Sequence, residues 1–479
     1  MTNTKTTLRD KKSTRWLVLC LVSITMLCAY YLTDALAPLE LRLEASLDWT
    51  ATDYGLYSGA YGWFNVFLLM LIFAGMILDK MGVKFTGILS ICIMLCGAGI
   101  KYWAINGNIG PEVTTISIGS WEILTAKKSA LIAGLGFAVF GVGVEMFGIT
   151  ANKAVIRWFK GKEMALAIGL NTSVGRIGTA LAMFTPVPLV NATKSLSSPI
   201  LLSMLLLCIG LLAFIYFCFF DRKLDKEEAT MQTPQEEEFK FSDIKEIVKI
   251  KAFWLITILC VLFYSAVFPF IKYATQLIVQ KFGISDDFAG YIPALLPFGA
   301  LVLTPFFGGL YDKKGKGATI MIIGSVLLVF VHLLFSIPSL NSLYIAIGLV
   351  LILGVAFSLV PSAMWPSVAK IIPEQRVGTA YSITFWVQNW GIMLVPMLIG
   401  YVLDNYCVVG IETRMINGVE SQVTLYNYTL PMLIFACFGA LAILFAFWLK
   451  IEDRNKGYGL EKPNIITEDI QEIERIEKR

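Results

Sequence analysis

Charge is scarce in this 479-residue chain. Asp, Glu, Lys and Arg make up 15% of it, where a soluble protein carries roughly 25%. Histidine occurs once, as His332, and no HExxH, GxGD or GxSG pattern is present. That leaves little for acid–base or nucleophilic chemistry, so no enzyme is expected. The nine cysteines form no CxxC or Cys/His cluster, and only Cys407 lies outside an apolar run. Neither a metal site, a disulfide nor a cofactor is implied, and nothing supports nucleic-acid binding.

Apolar sequence fills the space that charge leaves. Hydrophobic residues are 57% of the chain and the mean hydropathy is +0.70. A membrane-spanning helix needs about 20 apolar residues. Twelve stretches qualify, at 16–38, 54–78, 85–104, 130–157, 164–189, 200–220, 252–279, 288–311, 318–336, 343–369, 377–403 and 425–449. The expected fold is therefore an all-α polytopic membrane protein with twelve transmembrane helices. Five basic residues before the first span read as a signal anchor rather than a cleaved signal peptide. Alternate loops divide the basic residues unevenly. Thirty of the 39 fall on the side of the termini and eight on the other (Arg42, Lys101, Lys127, Lys128, Lys194, Lys272, Lys281, Arg414), with Arg176 inside a span. The positive-inside rule then puts both termini in the cytoplasm.

The polar stretch Asp221 to Lys251 divides the spans six and six. The expected organisation is an N-tail (1–15), a six-helix bundle (16–220), a linker with an amphipathic helix at Phe241-Ser-Asp-Ile-Lys-Glu-Ile-Val (221–251), a second bundle (252–449) and a C-tail (450–479). The halves repeat. Gly75-Met-Ile-Leu-Asp79-Lys80-Met-Gly82-Val-Lys84 follows the second span, and Gly308-Gly-Leu-Tyr-Asp312-Lys313-Lys-Gly315-Lys316 follows the eighth. In such a pattern the first glycine lets two helices approach, the aspartate suits a neighbouring helix N-terminus and the lysines stay cytoplasmic.

This paired motif and the six-linker-six layout resemble the major facilitator superfamily. The resemblance implies two pseudo-symmetric six-helix bundles around a central cavity, rocking between alternating-access states. It also implies that Asp79 and Asp312 latch the halves together when the cavity faces outward. The stretches YGWFNVFLLMLIFAGMILDKMG (61–82), WFKGKEMALAIGLNTSVGRIG (158–178) and AMWPSVAKIIPEQRVGTAYSITFWVQNWG (363–391) look like the lysosomal dipeptide transporter branch of that superfamily. By that likeness Glu145 and Arg176 hold the two ends of a peptide. The tails lack an acidic dileucine sorting signal, so a bacterial plasma membrane is expected rather than a lysosome. The first span also lacks the ExxER motif of proton-coupled oligopeptide carriers.

The residues themselves point to the same pair. Glu145 on the fourth span and Arg176 on the fifth each fall near the bilayer centre. A central charge there costs about 2.5–3.5 kcal/mol and usually faces a partner or a water-filled cavity. They could form an internal ion pair, or grip a zwitterion with Glu145 on an ammonium and Arg176 on a carboxylate. Asp34, beside Tyr30 and Tyr31, could bind an amine, carry a proton or contact another helix. Lys272 reads as a snorkelling residue and His332 as packing. Tyr57, Tyr61, Asn171, Tyr264, Trp365, Trp386, Gln388 and Asn389 are the neutral candidates for the cavity. Aligning Trp158 with Ile371 sets Asn389 opposite Arg176, which disfavours a doubly negative substrate. The expected function is a secondary active or facilitative carrier of a small zwitterion, most readily a dipeptide or short peptide. The rival is a carrier of a monocarboxylate-type organic anion coupled to protons. The expected partners are substrate, protons where transport is coupled, and the lipid bilayer around a monomer. Asn191-Ala-Thr and Asn427-Tyr-Thr are acceptor sequons for N-glycosylation.

Overall fold

A computed structural model describes residues 8–107, 109, 112–118, 121–159, 162–228, 241–373, 376–416 and 419–464. Its long helices are α1 (Lys12–Asp34), α5 (Met70–Ile105), α6 (Lys128–Phe159), α7 (Met164–Phe184), α9 (Ser198–Glu228), α11 (Lys251–Phe282), α13 (Tyr291–Lys314), α14 (Gly317–Ser336), α15 (Leu343–Ile371), α16 (Val377–Tyr406) and α17 (Thr429–Lys456). Short helices lie between them: α2 (Glu40–Leu47), α3 (Ala51–Gly59), α4 (Trp63–Phe67), α8 (Pro186–Thr193), α10 (Phe241–Ile247) and α12 (Asp286–Ala289). Among the described residues, ten helices are long and apolar enough to cross a membrane, or eleven if the bent pair of α7 and α8 is one crossing.

The expected spans differ from these helices where the backbone breaks. The second expected span, 54–78, is divided among α3, a 3-10 turn at Ala60–Gly62, α4 and the start of α5. Leu69 is left-handed there, with φ 52°. α5 in turn carries the third span as well, hinged at Gly82 (φ 76°, ψ 172°). Gly82 and its repeat mate Gly315 (φ 67°) both take backbone that favours glycine. Two antiparallel hairpins also interrupt the all-α expectation: β1 (Val113–Ile118) with β2 (Trp121–Lys127), and β3 (Val408–Ile416) with β4 (Val419–Tyr426). They occupy stretches expected to be loops, where valine, isoleucine and threonine favour extended backbone. α9 runs to Glu228, so Asp221 belongs to a helix rather than to the linker. Lys160, Gly161, Glu374, Gln375, residues 229–240 of the linker and the C-tail beyond Asn464 lie outside the described residues.

One face of α9 shows the lipid side of the fold. Leu205, Ile209, Leu212, Tyr216 and Phe219 recur at three- and four-residue spacing and are all more than half exposed. In the N-terminal half α1 packs on α7 and α9, and α5 on α6 and α9; in the C-terminal half α14 packs on α15 and α17, and α11 on α16 and α17. The halves meet along two seams, α3 on α16 and α7 on α13.

Those seams close the face that carries the hairpins. A Cβ on Gly55 would lie 2.5 Å from the Pro396 carbonyl oxygen, one on Gly59 2.3 Å from that of Met393, and one on Gly400 2.2 Å from that of Ala51. Gly290 is pressed as closely on Met183. Small residues of this kind let helix backbones touch in a membrane. Polar contacts reinforce the seam. Thr50 caps α3 through a box with Asp53, and Asp404 of α16 accepts the α3 backbone N–H groups of Ala51 (3.2 Å) and Thr52 (2.6 Å). Arg42 pairs with Asp286 (2.8 Å) and Asp287 (3.3 Å), donates to Asn191 Oδ1 (2.7 Å), and Asn191 donates to Asp287 (2.7 Å).

The face that carries the termini is arranged differently. Nothing lies within 4 Å of where a Cβ would stand on Gly75 or Gly308. The close helix approach expected at these motif glycines is not made, because the halves are held together at the opposite face. Asp79 pairs within its own half with Lys153 (2.7 Å). Overpacking a tight contact costs about 1–3 kcal/mol. Gly59→Leu should therefore force the hairpin face apart, lengthening the distance between spin labels at Lys194 and Glu412.

Candidate functional site

Helix geometry brings the two central charges to one depth. Glu145 lies 14 residues from the Phe159 end of α6 and Arg176 12 residues into α7. At 1.5 Å per residue these are about 21 Å and about 18 Å along the two helices. Both side chains are half-buried. They do not pair with each other: among the described residues no ion pair within 4 Å joins them. The internal ion pair, one of the two arrangements open from sequence, is not the one adopted.

Each charge is held instead by separate walls. Tyr61 Oη donates to Glu145 Oε1 at 3.0 Å, while the Asn389 amide of α16 donates within its own helix to the Phe385 carbonyl at 2.9 Å. Arg176 lies over aromatic faces, 4.6 Å from the Phe357 ring centroid, 5.7 Å from Phe268 and 5.8 Å from Tyr30. Such contacts are worth about 0.5–2 kcal/mol. Phe268 stacks on Tyr264 at 4.9 Å, and both pack edge-on to Phe357. So Arg176 of α7 meets the C-terminal half at α11 and α15, while Glu145 of α6 is held by Tyr61 of its own half. Among the described residues Arg176 has no hydrogen-bond or ion-pair partner. Phe268 and Phe357 were not singled out from sequence. The signal available was Tyr264 and Phe268, four residues apart on one helix face.

The other candidates divide. Tyr30 belongs to the Arg176 wall. Trp386 donates from Nε1 to the Val66 carbonyl at 3.1 Å, joining the halves beside the site. Trp365 stacks on Phe385 at 4.8 Å. Gln388 is buried and accepts from the Cys260 thiol at 3.4 Å. Asn171 is 1% exposed and accepts from Ser23 at 3.0 Å. It ties α1 to α7 rather than facing the site, because its face of α7 is the α1 contact.

Asp34 and Lys272 are partners. Lys272 Nζ donates to Asp34 Oδ1 at 2.6 Å and to the Thr33 carbonyl at 2.7 Å, so Lys272 does not snorkel. Lys101, counted with the loops from sequence, is wholly buried. Its ammonium sits 4.6 Å from the Phe137 centroid and 5.1 Å from Tyr57, and donates to the Leu32 carbonyl at 3.3 Å. His332 is buried between Phe270 and Phe435, with Nδ1 2.8 Å from the Leu328 carbonyl. Among the described residues no cluster of metal-ligating side chains occurs.

The Asp34–Lys272 bond crosses between the halves on the hairpin side of Glu145 and Arg176. Removing one partner of a buried pair costs about 3–5 kcal/mol, because the other charge is stranded. Lys272→Met should accordingly lower the melting temperature of the purified protein, and adding Asp34→Asn should restore most of the loss. Additive losses in that double-mutant cycle would show that the two side chains are not coupled.

Comparison with known proteins agrees with this architecture. A family model described as Major Facilitator Superfamily matches residues 19–396 and 274–471. The lysosomal dipeptide transporter MFSD1 of Bos taurus is 28% identical over 401 residues, covering 82% of this chain and 80% of the relative. That of Gallus gallus is 31% identical over 318 residues, covering 64% and 71%. The inner membrane transport protein YdiN of Escherichia coli is 29% identical over 128 residues, or 27% of this chain and 30% of the relative. Two solved structures share the fold. The xylose transporter XylE from E. coli, in an inward open conformation, has TM-score 0.65 at 11% identity over 90% of this chain and 95% of its own. A bacterial homologue of the human lysosomal transporter Spinster has TM-score 0.64 at 14% identity over 92% and 97%. The chain is an integral multi-pass membrane transporter and belongs to the major facilitator superfamily.

Proposed function

We propose that this transporter carries a small zwitterion, most readily a dipeptide or short peptide, bound between Glu145 and Arg176. One observation supports this above the others: two opposite charges share a depth in the membrane and are not spent on each other. Arg176 is steadied by the faces of Tyr30, Phe268 and Phe357, which leaves its N–H fork for a carboxylate. Glu145, oriented by Tyr61, is the complementary site for an ammonium group. The dipeptide transporters among its relatives support the same substrate class. Trp365, Trp386, Gln388 and Asn389 would line the space between the charged ends and impose little preference on side chains.

The mechanism is rocking of two six-helix halves. Twelve crossings follow if α3, α4 and the first part of α5 make one broken span, α5 beyond Gly82 the next, and α7 with α8 another. The state described here is then closed at the hairpin face and apart at the termini face. With 30 of 39 basic residues on the termini side, that face is cytoplasmic and the state is inward-facing. Asp79 and Asp312 would latch the halves when the termini face closes. As to location, the missing sorting signal favours a bacterial plasma membrane. The relatives covering most of the chain are lysosomal by name and stand against it.

Thermal protection of the purified protein by a panel of dipeptides, amino acids and monocarboxylic acids tests the reading. Dipeptides should raise the melting temperature, and both Arg176→Ala and Glu145→Gln should weaken their apparent affinity about tenfold or more. Removing a charge from a hydrogen-bonded pair of this kind costs about 1.5–3 kcal/mol. Protection by monocarboxylic acids that survives Glu145→Gln would instead identify an organic-anion carrier.

A further inference from the structure

The two copies of the repeated motif satisfy their aspartates by different means. In the first copy Asp79 accepts from Lys153 of α6. The second copy has no matching lysine: setting Trp158 against Ile371 places Pro366 of α15 where Lys153 stands. Asp312 is met instead by the chain that follows α17. That helix ends at Gly457 (φ 74°), and the chain doubles back. Asp453 accepts the backbone N–H groups of Gly459 (2.8 Å) and Leu460 (3.0 Å), and Leu460 is fully buried.

The returning segment is anchored at several points. Lys316 and Gly317 donate their N–H groups to the carbonyls of Glu461 (3.0 Å) and Leu460 (2.8 Å). The Glu461 carboxylate caps α14 through Thr319 N (2.9 Å) and Oγ1 (2.8 Å). Lys370 of α15 donates to the carbonyls of Gly459 (3.0 Å) and Lys462 (2.8 Å). Gly315 lies directly beneath: a Cβ there would meet the Lys462 carbonyl carbon at 2.5 Å. At the tip, Asn464 grips Asp312 twice. Its Nδ2 donates to Asp312 Oδ1 at 2.6 Å and its N–H to the Asp312 carbonyl at 3.0 Å.

We propose that Gly457–Asn464 is a conformational brake on the second motif copy, holding the Asp312 carboxylate while the termini face is apart and releasing it when that face closes. The inference rests on the alternating-access reading above. The chemistry suits a releasable contact. A neutral amide on a partly exposed carboxylate is weaker than the ammonium that Lys153 offers Asp79. The firm attachments, through Asp453, Glu461 and Lys370, lie upstream of the tip. Asp312 can therefore be let go without unseating the segment.

The test compares full-length variants spin-labelled at positions 81 and 314, on the termini face, against a cysteine-free background. Asn464→Ala removes the contact to the Asp312 carboxylate and leaves the backbone bond and the anchors. It should raise the population with the termini face closed about threefold or more without lowering the melting temperature. Glu461→Ala, which uncaps α14, should lower the melting temperature. Asn464→Asp sets a carboxylate against Asp312 and should shift the populations in the same direction as Asn464→Ala. If neither Asn464 variant moves the populations while Gly59→Leu still does, the brake is disproved and alternating access stands. If no variant moves them, alternating access fails and the brake falls with it.

Discussion

The fold depends on keeping two opposite charges apart in a medium that drives them together. Coulomb attraction at a few ångströms is worth several kcal/mol near a protein–water boundary and more in drier surroundings. Glu145 and Arg176 are nevertheless held by different walls. A phenol hydroxyl orients the carboxylate, and three ring faces support the guanidinium. Ring faces suit that purpose because they stabilise a cation without consuming its donors. Arg176 touches elements of the opposite half, so the space beside it is shaped by how the halves sit.

The hairpin face supplies the matching constraint. Glycine contacts bring backbones together where a side chain would collide, and polar contacts fix the register. The Asp34–Lys272 pair marks the inner boundary of this closed region. With Lys101 beside it, the neighbourhood holds two ammonium groups and one carboxylate, packed among Tyr57 and Phe137. Concentrated buried charge of this kind is costly to desolvate, and separating the partners strands each charge at a cost of about 3–5 kcal/mol.

Much of this was legible in the sequence for physical reasons. Apolar runs report spans because lipid leaves a helix no alternative. The depths of Glu145 and Arg176 follow from counting residues along those spans. The repeat of Gly82 and Gly315 was visible as a pattern, although the positive backbone angles that require glycine there were not. What could not be read were relations between distant segments. Asp34 and Lys272 each had a bland local explanation, and only the meeting of the end of α1 with α11 makes them partners. Asn171 looked like a cavity residue because rotation about a helix axis is poorly fixed by an apolar sequence with little amphipathic contrast. Phe268 and Phe357 were hidden by abundance, since the chain has 32 phenylalanines. The hairpins were hidden because their strands fall far short of the run that marks a span, although the stretches at 105–129 and 404–424 carry the valine, isoleucine and threonine that favour extended backbone.

The two glycosylation sequons have unequal standing in the folded chain. Asn427 is exposed, and among the described residues its side-chain amide is engaged only at Oδ1, which accepts the Thr429 N–H at 2.9 Å. Asn191 spends both ends of its amide, accepting from Arg42 and donating to Asp287 across the seam. A sugar chain attached there would replace one of the two Nδ2 hydrogens and drive a bulky wedge between the halves. Occupancy at Asn191 would therefore oppose the closed arrangement of the hairpin face, while the same sugar at Asn427 would leave that seam untouched.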